Sequence, residues 1–375
     1  MPPPLPLTPT AARRFARHAL GLEAAHASIA AALAHHGYVQ IDPINVCGRM
    51  HDLILRNRVD GYREGDLFRF LHGETNQMLA GTARSAFEHH VPDTGILVAF
   101  PLDAWPYLQA AMQRRSRLPG PWAGRLTPRE REVATEVLAA ITARGPLGSE
   151  DFDDDRRARA VWGAANLVKA TLQKLFFHGR LLIAGRAGNR RRYDLPERVL
   201  PAAVLSQPAA DPEETHRWTV LLKLRQRRLT SLKRNDLPAV ADMVQPLAVA
   251  GCPPLYCLRT DLPLLEAAAR EDAADRVRPP ALLLAPLDPI IYDRALTRVL
   301  WDFHYTWEAY TPPVRRVRGY YALPVLADTT LVGHIEPRAD REHGSLLVLS
   351  RRIRRGHALT PALRVFARWL GLRFR

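Results

Sequence analysis

The chain has 375 residues, 53 of them Lys or Arg and 38 Asp or Glu, so its formal net charge is +15. Its 47% apolar content is that of a globular protein, and its length suggests roughly two to four domains. The cation excess favours a polyanionic partner, nucleic acid before a membrane surface. The longest apolar run, 280–292, is too short to span a bilayer.

The first part of the chain predicts three helices and one short strand. Thr8 is followed by proline, which predicts an N-cap and a helix over 9–20. A second helix is expected over 23–36. Residues 38–42 alternate in polarity as a strand does, and a third helix is expected over 45–58, with its first residue as the cap.

The middle of the chain has the order helix, turn, helix, basic hairpin. A capping box at Thr127 opens the first of these helices, and an amphipathic segment over 162–178 forms the second. Two strands are expected at 181–184 and 190–194, joined by a glycine-containing turn. This order is typical of a winged helix.

The last part of the chain changes from helical to strand-like patterns. After a linker at 201–215, helices are expected at 217–228 and 237–244, with a short strand at 256–258. From residue 281 onward a β-rich domain is expected, with its strands and closing helix at 319–326, 331–335, 345–349 and 360–370.

Gln40 and Asp42 are the first candidates for chemistry. On a strand they point to the same face about 7 Å apart, which leaves room for one water between an amide and a carboxylate. A carboxylate so placed can stabilise a cationic sugar and deprotonate that water. The alternative is structural, because an Asp before a proline commonly caps a turn.

Three segments together carry a resemblance to a known family. The first is Tyr38-Val39-Gln40-Ile41-Asp42-Pro43-Ile44-Asn45-Val46, followed by His51, Asn57-Arg58-Val59 and Tyr62. The others are 179–181 through 193–198, and 286–289 with 293–294, 319–321 and 323–324. They resemble the winged-helix DNA glycosylase superfamily, which includes AlkZ and YcaQ (AlkX), and Gln40-Ile41-Asp42 resembles the Gln-apolar-Asp motif of the AlkX branch.

The resemblance implies an α+β fold of tandem winged helix-turn-helix units at 1–121, 122–205 and 206–280, followed by a barrel-like β-rich domain at 281–375. It implies that Gln40 and Asp42 are catalytic in the hydrolysis of the N-glycosidic bond of N7-alkylated purines, with unhooking of interstrand crosslinks as a further activity. The implied partner is duplex DNA with alkylated bases, bound by a monomer. No cofactor and no metal are expected.

One segment departs from the family pattern. Pro92 stands where the family has a histidine. His89 and His90 are expected to form a solvated pair on a loop, and the alternative is that one of them substitutes for that histidine. Further pocket candidates are Asn45, His51 and Glu88, although a satisfied structural role is the alternative for the last two.

Basic side chains and one aromatic residue are the candidates for DNA contact. They are Arg58, Lys169, Lys174, Arg190, Arg191, Arg192, Arg315, Arg316, Arg318 and Tyr320. Two alternatives remain open: the triple arginine can be a solvated strand edge, and tyrosines on strands are commonly half-buried in a core.

The remaining patterns limit the competing functions. A noncatalytic winged-helix transcription regulator is the main rival, and a DNA-binding module of a nuclease or helicase is a third possibility. The sequence has neither a Gly-Lys-Ser/Thr loop nor a His/Cys cluster with metal-ligand spacing. No activated amine is evident, which predicts a monofunctional enzyme. Three cysteines without zinc-ligand spacing predict free thiols, and the lack of a signal-peptide pattern predicts a cytoplasmic location.

Overall fold

The computed structural model describes residues 1–74, 77–153, 166–270 and 279–374. The chain forms two compact units. Unit 1 comprises Met1–Gly37, Asp42–Glu64 and His216–Arg375, and unit 2 comprises Tyr38–Ile41 and Gly65–Thr215. None of the described helices has the length and apolar content that a bilayer crossing requires.

Helices and strands alternate irregularly along the chain, so the predicted mixed α+β class is confirmed. The helices are α1 Pro9–Ala19, α2 Ile29–His36, α3 Met50–Leu55, α4 Asp66–His72, α5 Trp105–Arg117, α6 Pro128–Arg144, α7 Leu167–Phe177, α8 Pro196–Val199, α9 Ala202–Leu205, α10 Pro212–Arg227, α11 Leu237–Val240, α12 Leu262–Arg270, α13 Arg294–Trp301 and α14 Thr360–Trp369. The strands are β1 Leu5–Leu7, β2 Val39–Gln40, β3 Gly73–Glu74, β4 Gln77–Met78, β5 Ala86–His90, β6 Leu97–Pro101, β7 Leu182–Ala187, β8 Arg190–Asp194, β9 Val244–Val249, β10 Leu255–Leu258, β11 Leu282–Leu283, β12 Leu323–Ala327, β13 Thr330–Asp340 and β14 Ser345–Ile353.

Unit 2 contains a three-stranded antiparallel sheet in the order β2-β6-β5 and the hairpin β7–β8. The predicted capping box opens α6, because Thr127 and Glu130 bond each other's backbone N–H groups. Gly188 has φ +61 at the first position of the two-residue hairpin loop, a conformation that glycine adopts without strain. The second predicted helix is α7, and residues 162–165 of that prediction lie outside the described residues.

Helices α1 and α2 of unit 1 are both capped by a hydroxyl side chain at their N-termini. Helix α1 begins after Thr8 as predicted, and the Thr8 hydroxyl accepts a hydrogen bond from the N–H of Ala11. Helix α2 was predicted to start at Glu23, and this start is wrong because Ser28 caps the helix with a hydrogen bond to the N–H of Ala31. The predicted end at Gly37 is confirmed, with φ +81.

The sheets of unit 1 are open. One has the order β1-β9-β10, and the other has the order β11-β12-β13-β14, in which every neighbouring pair is antiparallel. The barrel-like closure predicted for the C-terminal region is not confirmed, because β11 and β14 are the two edges of this sheet among the described strands. Leu323, Val325 and Ile335 point into a core that Phe366 of α14 completes.

Three other local predictions need correction. The predicted linker at 201–215 contains α9 and the first residues of α10. The helix predicted at 237–244 is shorter in the structure. Helix α11 ends at Val240, and strand β9 begins at Val244. Helix α13, capped by Asp293, lies inside the region that was predicted to be strand-like. The three cysteines are free, as predicted.

Candidate active site

Asp42 lies in a turn and not on a strand. Strand β2 ends at Gln40, so the predicted strand over 38–42 is too long and the argument from a shared strand face does not hold. The Oδ1 atom of Asp42 accepts a hydrogen bond of 2.9 Å from the N–H of Ile44, which closes a turn around Pro43. This turn is the structural role that the sequence left open for Asp42, but it uses only one of the two carboxylate oxygens. The other oxygen has no hydrogen bond within the described ranges.

The carboxyl group of Asp42 is half-buried. Burial raises the pKa of Asp42, and the hydrogen bond from Ile44 opposes this only in part. After burial itself, the Asp42 charge is the next cause that raises the pKa of Tyr310, and it also contributes to the raised pKa of Tyr321. Both phenol groups are therefore within electrostatic range of this carboxylate, Tyr310 at the surface and Tyr321 in the core.

The segment 309–319, called here the 309–319 loop, is organised by one carboxylate. Glu308 is buried and accepts hydrogen bonds from the backbone N–H groups of Val317, Arg318 and Gly319 at 2.7, 2.8 and 3.3 Å. Three apolar or aromatic side chains nevertheless face solvent, with exposed fractions of 78% for Tyr310, 94% for Val314 and 75% for Val317. Side chains of this kind are usually buried unless they meet a partner.

The basic residues of this loop differ in how far they are engaged. Arg315 is exposed, whereas the guanidinium of Arg316 lies over the ring of Tyr320 at 4.9 Å. Arg318 donates hydrogen bonds to the carboxylate of Glu308 and to the backbone carbonyl of His304. Among these arginines, Arg315 is the one best placed to meet a phosphate.

Gln40 and Asn45 have simple local environments. Gln40 is half-buried on β2 and pairs with Val98 of β6 in unit 2. Asn45 is exposed in unit 1, and its Oδ1 accepts a hydrogen bond from the N–H of Gly48. It does not cap α3 as predicted, because the N-cap position of that helix is Arg49.

Glu88 is an internal counter-ion and not a pocket residue. It lies on β5 and is buried against Arg186, whose Nε donates a hydrogen bond of 2.6 Å to Oε1 and whose Nη2 bonds Oε2. Nε2 of His72 lies 2.7 Å from the same Oε1, and Arg84 donates to Nδ1 of His72. The structural alternative therefore holds for Glu88. The side chain of His51 is fully buried.

His89 and His90 contradict the expectation of a solvated pair. Both side chains are buried on β5. The His90 ring stacks on Phe177 with centroids 3.9 Å apart, and Nε2 of His89 lies 3.0 Å from the carbonyl oxygen of Phe176. Burial lowers the pKa of His89 to about 4, so its ring is neutral at physiological pH.

Two predicted DNA contacts are internal ion pairs, so we do not retain them as contacts. The Arg58 side chain is 0% exposed and bonds both carboxylate oxygens of Asp288 at 2.8 Å. Lys174 is buried and its Nζ lies 2.8 Å from a carboxylate oxygen of Glu130. A charge enclosed in this way cannot reach a phosphate without breaking its pair.

The remaining basic candidates lie at or near the surface of unit 2. Lys169 on α7 and Arg190 at the tip of the β7–β8 hairpin are exposed. Arg191 lies over the ring of Phe176 at 5.9 Å, and Arg192 bonds Asp151 at 3.0 Å. Of the three hairpin arginines, Arg190 at the tip is therefore the most exposed, whereas Arg191 and Arg192 each contact another side chain of unit 2.

A histidine cluster escaped the sequence analysis. His26, His35 and His36 each place a ring nitrogen within 4.8 Å of the others in unit 1. No metal site was predicted, because these three histidines do not have the spacing of a His/Cys metal motif. The available signal was the adjacent pair near the predicted helix end, with a third histidine about ten residues earlier.

We expect Glu88→Gln to destabilise the protein by about 3–5 kcal/mol near neutral pH, because it leaves Arg186 buried without its counter-charge. Burial alone would raise the pKa of Glu88, but Arg186 and then His72 hold it well below the ordinary 4.5. The stability from the ionised group is therefore complete above that pH and is lost as the pH falls below it. Urea unfolding across a pH series measures the difference from wild type.

The matched control is Glu64→Gln, which removes a carboxylate paired with Arg341 at the surface. Its effect should stay below about 1 kcal/mol. A Glu88→Gln effect that grows towards acid pH would contradict the assignment of Glu88 as the stabilising counter-ion.

Comparison with known proteins agrees with the resemblance. A family model described as "DNA glycosylase AlkZ-like" matches residues 33–369. Among solved structures, the Streptomyces sahachiroi DNA glycosylase AlkZ is similar, with a TM-score of 0.59 and 16% sequence identity over 99% of this chain and 100% of that one. At this identity the structural likeness shows a shared fold, and the family match covers most of the sequence, including the segment around Gln40 and Asp42. The chain therefore belongs to the AlkZ-like DNA glycosylase family and is a DNA glycosylase.

Proposed function

We propose that this DNA glycosylase hydrolyses the N-glycosidic bond of N7-alkylated purines, with Asp42 as the carboxylate that acts on the sugar and on water. The observation that carries the proposal is the state of that group: half-buried, held by one oxygen, and with a pKa raised by burial. The family assignment makes an enzyme a better account of the chain than a noncatalytic regulator.

The chemistry requires little beyond one carboxylate. Alkylation at N7 makes the base cationic, so the bond from N9 to C1′ breaks with its electron pair leaving on the base, which becomes neutral. The sugar acquires oxocarbenium character, which the Asp42 charge stabilises. A water oxygen then bonds C1′, and its proton passes to the carboxylate. A raised pKa makes the Asp42 carboxylate a stronger base.

Gln40 is proposed to orient the water that Asp42 deprotonates. The pair stands two residues apart in a Gln-apolar-Asp sequence, which resembles the AlkX branch. That resemblance supports the further proposal that the enzyme unhooks interstrand crosslinks. Bulky lesions of this kind need not be flipped into a closed pocket as smaller bases are.

The 309–319 loop is proposed to contact the damaged duplex. Tyr310 lies within electrostatic range of Asp42, and Val314 and Val317 offer exposed apolar surface beside Arg315. Cations meet phosphates while apolar side chains meet bases or sugars, so the composition of the loop suits a nucleic-acid contact.

The proposed architecture keeps the tandem winged-helix units at 1–121, 122–205 and 206–280 and the β-rich domain at 281–375. The order α6, α7, β7, β8 supports the second unit, with Lys169 and Arg190 as cations facing the duplex. We further propose that the protein acts as a monomer in the cytoplasm, on chromosomal DNA.

The test is incubation of the full chain with a duplex containing N7-methylguanine, with an undamaged duplex as the control substrate. We expect release of the free base and an abasic site that breaks only on later alkali treatment. Borohydride trapping of a protein–DNA adduct would contradict the monofunctional mechanism. Absence of base release would contradict the proposed substrate class.

We expect Arg315→Ala to weaken binding to duplex DNA and to reduce the slope of log affinity against log salt by about one unit, because one phosphate contact is lost. The fold should be unaffected, since this side chain is exposed. Fluorescence anisotropy with a labelled duplex over a salt series measures both quantities.

The control is Arg270→Ala on α12, which removes an exposed arginine that bonds Glu266 at 2.8 Å. Its salt slope should equal that of wild type. Equal slopes for Arg315→Ala and wild type would remove the 309–319 loop from the proposed interface.

A further inference from the structure

Three histidines of unit 1 converge at the end of α2. His35 and His36 are the last two residues of that helix, and His26 lies in the segment that precedes it. The ring centroids are 4.8 Å apart for His26 and His35, 4.8 Å for His35 and His36, and 5.5 Å for His26 and His36. One nitrogen from each ring lies within 4.8 Å of those of the other two.

Several of these nitrogens are buried without a hydrogen-bond partner. His36 is 3% exposed, and neither of its ring nitrogens has a partner in the part of the chain that the structure describes. The same holds for Nε2 of His26. Buried polar atoms are rarely left in this state, and one that is left points to an ion or a water at the same place. Here one nitrogen of each of the three rings lies within 4.8 Å of the others, which suits a ligand held in common.

The hydrogen bond of His35 leaves one of its ring nitrogens with a lone pair that can bind a metal ion. Neutral imidazole is the form that coordinates a metal. Nε2 of His35 lies 2.7 Å from the carbonyl oxygen of Ala19, which can only accept, so this nitrogen carries the hydrogen and Nδ1 keeps its lone pair. Metal-bound histidines commonly have such a carbonyl partner.

The arginines around the cluster are the main objection to a bound cation. After burial, Arg228 lowers the pKa of all three histidines, Arg58 lowers that of His26 and His36, and Arg225 contributes for His35. The first two are neutralised by buried carboxylates: Arg58 bonds Asp288 at 2.8 Å, and Arg228 bonds Asp261 at 3.0 Å. A divalent ion would therefore meet two compensated pairs in place of two bare charges.

We propose that His26, His35 and His36 bind one divalent transition metal ion of the Zn²⁺ class, with water as the fourth ligand. Three imidazoles and one open position form a common zinc donor set, and borderline metals prefer imidazole nitrogen. Nitrogens about 2.0–2.1 Å from a tetrahedral ion lie about 3.4 Å from each other, so small ring rotations bring the set from 4.8 Å into range. Gly21 leaves room for the ring of His26, because a Cβ there would lie 2.9 Å from Nε2 of His26.

The bound ion would tie the last turn of α2 to His26. The sequence continues from His36 through Gly37 to Gln40, so the site lies four residues before the proposed Gln-apolar-Asp motif. The proposal concerns metal binding and stability and is independent of the lesion that the enzyme removes.

The experiment uses the full chain without an affinity tag, freed of metal by chelation and then titrated with Zn²⁺ and, separately, with Co²⁺. We expect about one equivalent of Zn²⁺ per chain, a rise in the thermal midpoint, and the visible absorption of tetrahedral Co²⁺. His26→Ala and His35→Ala should each weaken binding by at least about tenfold. His357→Ala, which removes an exposed histidine elsewhere in unit 1, should bind as wild type does.

Two results would overturn the proposal. One is a wild-type chain that takes up no Zn²⁺ and shows no tetrahedral Co²⁺ spectrum, which would assign the buried nitrogens to water. The other is uptake that is equal in wild type and in both cluster variants, which would place the metal elsewhere. If a cluster variant fails to fold, the wild-type Co²⁺ spectrum alone decides, because octahedral or absent absorption is incompatible with three imidazole ligands and one water.

Discussion

Asp42→Asn is expected to lower single-turnover base release from N7-methylguanine duplexes by about 10²–10⁴-fold, the usual contribution of a positioned general base. Asparagine keeps the side-chain oxygen that accepts the hydrogen bond from Ile44, so the turn around Pro43 should persist. What is lost is the negative charge and the ability to take a proton. Single-turnover measurement separates this step from DNA binding and product release.

The matched control is Asp211→Asn. Asp211 also precedes a proline, and its Oδ1 accepts a hydrogen bond of 2.8 Å from the N–H of Glu214 at the start of α10. This variant should release base at the wild-type rate, since it removes the charge of another aspartate that precedes a proline and bonds a backbone N–H, outside the Gln-apolar-Asp tripeptide. If Asp42→Asn also released base at the wild-type rate, Asp42 would be a turn residue and the proposed mechanism would fail.

Arg58→Ala is expected to lower the free energy of unfolding by about 3–5 kcal/mol, because it leaves the carboxylate of Asp288 buried without a counter-charge. The variant also removes donors to the carbonyl oxygens of Leu20 and Ile54, at 2.9 and 3.0 Å. Urea unfolding followed by circular dichroism gives the change, and a temperature at which both proteins are folded allows DNA binding to be compared.

Arg341→Ala provides the surface reference for this prediction. Arg341 bonds Glu64 in an exposed pair, so its removal should cost less than about 1 kcal/mol. The contrasting outcome is an Arg58→Ala protein as stable as wild type that binds DNA weakly. That result would restore Arg58 as a phosphate contact and would mean that the pair with Asp288 opens on binding.

The 309–319 loop combines a buried acidic anchor with an exposed face of apolar and basic side chains. Its shape depends on Glu308, a buried carboxylate whose backbone hydrogen bonds hold its pKa below the ordinary value even though burial opposes this. Its exposed face combines Val314 with Arg315. Glu308 thus anchors the backbone of the loop, while Tyr310 on the same loop is exposed and within electrostatic range of Asp42.

The local signals in the sequence determined those elements whose hydrogen bonds close within a few residues. The N-cap at Thr8 and the capping box at Thr127 open helices at the predicted residues, and the hairpin around Gly188 forms as predicted. The three sequence segments that carry the resemblance, of which Gln40-Ile41-Asp42 is part, likewise indicated the family, because the resemblance depends on residue types and their order.

Tertiary structure decided which polar side chains are available for function. Arg58 and Asp288 are 230 positions apart in the sequence, and Glu88 and Arg186 are 98 apart, so no local pattern indicates that these charges are paired. The cluster of His26, His35 and His36 is close in sequence, but only the folded chain shows that the three rings meet. The strand predicted over 38–42 is too long because the side chain of Asp42 closes a turn with Ile44, which a polarity pattern does not show. A sequence shows the charge that a residue carries, whereas the fold shows whether a buried partner already neutralises that charge, and only an unneutralised charge is left to meet DNA.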